Sequence, residues 1–204
     1  LEEQDALLLG GHTLESRNTP LLPLSLGIEI ALSVNGLVDI GQEYWKKNGL
    51  TIGDELLLSR PLGTGALFAA AMKGKARAKD LDMALSNMNT SQHKIIDYLL
   101  NMQKEYPDKK IVNACTDVTG FGLLGHLGEM VRTSNLERDK KGLVPISIRL
   151  EANEIPFYSG VKDLFEEGIT STLSPSNRCF WRMLNRNNGS YIDNINLALG
   201  TISS

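Results

Sequence analysis

Cysteine is scarce in this chain, with two in 204 residues. Cys115 and Cys179 lie far apart and share no metal-type spacing, which excludes a disulfide framework and points to a reducing compartment, the cytoplasm. Histidine is scarce too. His12, His93 and His126 form no His-x-x-x-His pair, so zinc of the helical protease type is excluded. No apolar run approaches the ~18 residues that cross a bilayer, and no basic-then-apolar leader opens the chain. No cluster of Lys and Arg forms a continuous basic tract, "DKK" at 139–141 reads as a solvated loop, and the net charge is −3. Nucleic acid and an anionic membrane are therefore not expected partners.

What is present is an ordinary globular composition, 42% hydrophobic and 22% charged, enough for one domain or one domain plus part of another. Leu1 opens the chain in what reads as the middle of a domain, and "LALGTISS" ends it directly after an extended piece; we expect a fragment. "DALLLGGHT" at 5–13 reads as a buried strand closing on a tight turn. From 24 to 34, Leu24, Leu26, Ile28, Ile30, Leu32 and Val34 alternate with small or polar residues, the period of a half-buried strand. Further strands are expected near 54, at 109–117 and, from Ile146, Ile148 and Leu150, at 145–152. The Ala-rich run ending at Gly74 predicts a helix, as does the apolar face across 81–103, with a break near Asn87–Asn89. Helices are also expected from Thr119 to about Val131, at 160–167 and at 177–184. Arg138 to Gly142 reads as a polar loop. Strands and helices mix without a βαβ period, so the expected class is α+β, a mixed sheet with flanking helices.

The stretch "CTDVTGFGLLGH" at 115–126 poses the chemical question. Leu123, Leu124, Leu127, Met130 and Val131 recur at helical spacing, yet Gly120, Gly122, Gly125 and Gly128 interrupt them. Each interior glycine costs a helix roughly 0.5–1 kcal/mol relative to alanine. Two readings account for that weakness. In one, Asp117 at a strand end holds Mg²⁺ and the glycine turn exposes backbone N–H groups to an anion. In the other, Asp117 caps the helix and the glycines admit a tightly packed neighbour. "RPLGTG" at 60–65 offers the same choice: Pro61, Gly63 and Gly65 make either an anion site or a structural turn. His126, Cys115, Phe180 and Trp181 read as structural or core residues.

"TDVTGFGLLGH" at 116–126 is similar to a signature of the selenophosphate synthetases (selenide, water dikinases). "GGHT" at 10–13 and "RPLGTG" at 60–65 resemble two further elements of that family, in the same order. The resemblance runs over roughly residues 7 to 184 and weakens after 150. It implies a member of the superfamily that includes aminoimidazole ribonucleotide (AIR) synthetase. Residues 1–40 would be the end of an ATP-binding N-terminal domain, and 41–204 an AIR-synthetase-like C-terminal domain. It implies conversion of ATP, selenide and water to selenophosphate, AMP and phosphate, with Mg²⁺ as cofactor and a homodimer as the working state. Asp117 is then a magnesium ligand, and Gly11, His12 and Thr13 contact ATP. The family's reactive Cys or selenocysteine and its Lys would lie upstream, leaving no catalytic residue in this chain, which would be inactive alone. Two rivals stand beside this reading. One is another enzyme of the superfamily, which should carry Gly-Gly-Glu where Gly10-Gly11-His12 stands. The other is a non-catalytic ligand-binding or dimerisation module of the same fold.

Overall fold

The computed structural model describes residues 7–10, 32–38 and 44–183. The chain divides into two compact units, Leu1–Tyr44 and Trp45–Ser204. Among its described residues the first unit has no regular element, and most of the alternating 24–34 segment lies outside them.

Among its described residues the second unit is helical. Its helices are α1 (Thr64–Met72), α2 (Ala78–Asn89), α3 (His93–Glu105), α4 (Gly122–Lys140), α5 (Val161–Glu166) and α6 (Ser174–Asn177), with 3-10 turns at Ala152–Glu154 and Arg178–Met183. The Ala-rich run is α1. The break expected near Asn87–Asn89 falls just beyond it, where Thr90 leaves the helical region and its hydroxyl donates to the Ser86 carbonyl at 2.9 Å. α4 outruns its expected end by two turns and absorbs part of the polar stretch read as a loop. Arg138 and Lys140 in its last turn complement the negative end of the helix dipole. It closes with Gly142 N–H on the Asp139 carbonyl and Leu143 N–H on the Arg138 carbonyl, both at 2.9 Å, the paired bonds of a Schellman cap.

Two apolar clusters hold the unit together. In one, α1, α2 and α5 bury Ala66, Leu67, Ala70, Ala84, Val161, Leu164 and Phe165. Gly63 makes that contact possible. Its φ is +110°, and a Cβ there would stand 2.6 Å from a Val161 methyl. "RPLGTG" is thus a packed turn, tied down by Leu62 N–H on Pro156 O at 2.9 Å and Tyr158 N–H on Leu62 O at 3.0 Å. In the other cluster Leu62, Leu123, Leu124 and Ile155 are buried beneath Phe180 and Trp181.

Among the described residues the expected mixed sheet is absent. The only β pairing among them is a single parallel bridge, Leu62 to Phe157, and the α+β assignment is corrected to helices joined by extended segments. The segments near 54, at 109–117 and at 145–152 carry no ladder. Alternation reports only that one face of an extended segment is half-buried, and a helix can supply that cover as well as a neighbouring strand. At 145–150 this is what happens. Ile146, Ile148 and Leu150 are half-buried while their neighbours are exposed. The α4 side chain Asn135 takes a strand partner's place, donating to the Ile146 carbonyl at 2.9 Å and accepting from its N–H at 2.8 Å. Among the described residues no helix is long and apolar enough to cross a membrane.

Candidate functional site

Cys115 to His126 runs from extended backbone through a turn into α4. Its approach is fastened to the 46–54 segment. Cys115 N–H donates to the Lys46 carbonyl at 2.8 Å, and Asn113 Nδ2 donates to Asp54 Oδ1 at 2.7 Å. Asp54 also accepts from the Thr51 N–H at 2.8 Å and the Thr51 hydroxyl at 2.7 Å. Burial pushes the Asp54 carboxyl up, but the bonds from Thr51 and Asn113 outweigh it and hold it below the ordinary aspartate value. On the other side of the same segment the buried Ser134 Oγ of α4 accepts from the Gly49 and Leu50 N–H groups at 3.1 and 3.2 Å.

Asp117 is exposed at the end of this fastened approach. No side chain caps the start of α4, so the helix-cap reading of Asp117 does not describe its position. The turn closes itself: Gly122, with a φ of +71° that favours glycine, donates its N–H to the Thr119 carbonyl at 2.8 Å. His126, buried one turn into α4, reaches back with Nε2 to 3.1 Å from the Thr119 nitrogen and 3.2 Å from its hydroxyl. The Thr119 and Gly122 amides of the glycine turn are therefore already satisfied within the motif.

The glycines admit a neighbour. A Cβ on Gly120 would lie 2.7 Å from a Leu173 methyl, and one on Gly125 would lie 2.9 Å from both Phe121 Cβ and the Phe180 ring. A Cβ on Gly128 would collide with the Met183 sulfur. The segment 173–183 thus packs directly on α4 backbone, with Phe180 edge-on to Phe121 at 6.4 Å between ring centres. Asn177, buried in α6, locks the seat by donating to the Gly120 carbonyl at 2.8 Å. Nothing in the spacing signalled Asn177, which lies 57 residues along the chain from Gly120. His126 was visible in the sequence, but its return to Thr119 was not.

The Cys115 thiol is exposed, yet partial burial, and then the Asp117 carboxylate nearby, raise it above its ordinary value. It therefore carries little thiolate at neutral pH, which agrees with its reading as no nucleophile, while its exposure corrects the expectation of a core residue. Gly11, His12 and Thr13 lie outside the described residues. Among the described residues no three His, Cys, Asp or Glu side chains gather as a metal cage. One exposed carboxylate nevertheless suits Mg²⁺, which commonly takes one or two carboxylates and completes its shell with phosphate oxygens and water.

Residues 51–169 match the family model of the AIR synthase related protein, C-terminal domain. A selenide, water dikinase of Campylobacter jejuni is 36% identical over 169 residues, 83% of this chain and 41% of the relative. Those of Bdellovibrio bacteriovorus and Treponema denticola are 30% and 32% identical over 87% of this chain, and 43% and 42% of their own lengths. The chain spans less than half the length of these curated relatives. A glycine-seated helix behind an exposed aspartate, inside a matched domain with such relatives, places the chain in the AIR synthase related family and, within it, with the selenophosphate synthetases.

Proposed function

We propose that this chain is part of an enzyme that converts ATP, selenide and water to selenophosphate, AMP and phosphate. The observation that carries the reading is Asp117: an exposed carboxylate, unused by the helix behind it, at the end of a segment fastened by the Lys46, Asp54 and Asn113 contacts. Mg²⁺ would supply charge neutralisation on the triphosphate while two phosphoryl bonds are cleaved. Asp117 holds that ion from the protein side. Gly11, His12 and Thr13 contact the nucleotide through turn amides and side-chain donors. The working state is a cytoplasmic homodimer; the nearly fully exposed apolar side chains Leu7, Leu9, Leu32 and Val34 in the first unit favour association.

The chain alone does not turn over. Stabilising two successive phosphoryl transfers takes several charged groups, each worth about 3 kcal/mol, and Asp117 is a single one. A non-catalytic module is the second reading, favoured by the Thr119 and Gly122 amides being spent within the motif.

Phosphorus NMR of Mg-ATP with the purified chain, with and without selenide, separates the two. Weak perturbation of the ATP phosphates, lost in Asp117→Asn, with no selenophosphate formed, is the expected result. ATP resonances unchanged by the wild-type chain would favour the module. Selenophosphate formation that survives Asp117→Asn would place the chemistry elsewhere.

A further inference from the structure

The motif's histidine does more than fill space. His126 is 5% exposed, and its Nε2 stands 3.1 Å from the Thr119 main-chain nitrogen. A backbone N–H can only donate, so Nε2 must accept, and the proton of the neutral ring sits on Nδ1. Nδ1 is buried and has no partner among the described residues. The Thr119 contact is therefore what selects the tautomer and the ring orientation. Thr119 is two residues beyond Asp117, and its carbonyl takes the Gly122 N–H that closes the turn. With Cys115 tied to Lys46 before Asp117 and Thr119 tied to His126 after it, Asp117 stands between two fixed points of the main chain.

We propose that His126 is a positioning residue for Asp117: its unprotonated Nε2 fixes the Thr119 amide and thereby aims the carboxylate at its metal. This rests on the metal reading of Asp117 given above. The hydrogen bond itself stands or falls separately, and the experiment keeps the two apart.

The test is nitrogen NMR of the labelled 204-residue chain with Mn²⁺ as probe. A scalar coupling across the hydrogen bond, from Thr119 N to His126 Nε2, should be present, with the ring in its Nδ1–H tautomer. His126→Gln, whose amide oxygen can reach as Nε2 does, should keep the Thr119 amide shift and the Mn²⁺ broadening of the Asp117 amide. His126→Phe keeps ring volume without an acceptor, and should need about tenfold more Mn²⁺ for equal broadening while the α4 signals stay helical. An absent coupling, a ring protonated on Nε2, or a folded His126→Phe that broadens as wild type would overturn the proposal. Broadening unchanged in Asp117→Asn would overturn the metal reading, and the positioning role with it, while leaving the coupling intact.

Discussion

The α1–α2–α5 cluster and the start of α4 solve the same packing problem with different weights on side-chain volume. In the first, side-chain volume does most of the work: Leu67, Ala70 and Val161 are almost wholly buried and fit against one another, while Gly63 makes room for a Val161 methyl. At the start of α4 the neighbour is admitted by missing volume, with Gly120, Gly125 and Gly128 receiving Leu173, Phe180 and Met183. Polar pins then hold what apolar area alone would leave loose: His126 on Thr119, Asn177 on Gly120 and Ser134 on the 49–50 amides. The difference teaches that a glycine-rich signature can be a packing device whose glycines seat neighbours while the exposed Asp117 takes no part in that task.

Removing volume from the first region should have the largest effect. Leu67→Ala deletes a fully buried side chain and should lower the unfolding free energy by about 3 kcal/mol, read as a fall in the urea midpoint. Adding volume to the second region should cost less. Gly125→Ala gains roughly 0.5–1 kcal/mol of helix propensity. Against that stands about 1–3 kcal/mol of overpacking against Phe121 and Phe180. The balance is a net loss of about 1 kcal/mol, with Phe180 signals shifting in NMR. A Gly125→Ala chain more stable than wild type would show that the glycine is not a seat.

The smallest effect belongs to the charged margin of the first region. Asp80 is buried, and its hydrogen bond from Arg77 at 2.6 Å holds its carboxyl below the ordinary aspartate value. A depressed carboxyl contributes stability that is full above the ordinary aspartate range and is lost as pH falls through its folded value. The urea midpoint should therefore fall on acidification by more in wild type than in Asp80→Asn, with the two converging in acid. Parallel pH profiles would assign the acid sensitivity to other carboxylates, Asp54 first among them.

Helices α1 to α5 were legible in the sequence because their signals are local. Periodic leucines, an Ala-rich run ending at glycine and a polar break near Asn87–Asn89 need no knowledge of neighbours. By contrast, α6 was not expected, and the helix expected at 177–184 is a 3-10 turn at Arg178–Met183. The sheet was misread because alternation is ambiguous about who covers the buried face. Ile146, Ile148 and Leu150 alternate as a strand would, yet Asn135 of α4 supplies the backbone bonds. At the candidate site, Asp117 and the glycines stood out by composition. The Asn177 lock and the Thr119–His126 return did not, since both depend on a turn and a chain reversal that sequence spacing does not encode. Gly11, His12 and Thr13 remain proposals that fall outside the described residues.

Within the motif, packing falls to the glycines and, as proposed, metal binding to Asp117. Electron paramagnetic resonance titration of Mn²⁺ into Asp117→Asn, beside its urea midpoint, tests that division most directly. Because the side chain is exposed and caps nothing, the substitution should leave the midpoint within about 0.5 kcal/mol of wild type and should abolish the bound-Mn²⁺ signal. An unchanged Mn²⁺ signal, or a midpoint that collapses with it, would contradict the assignment.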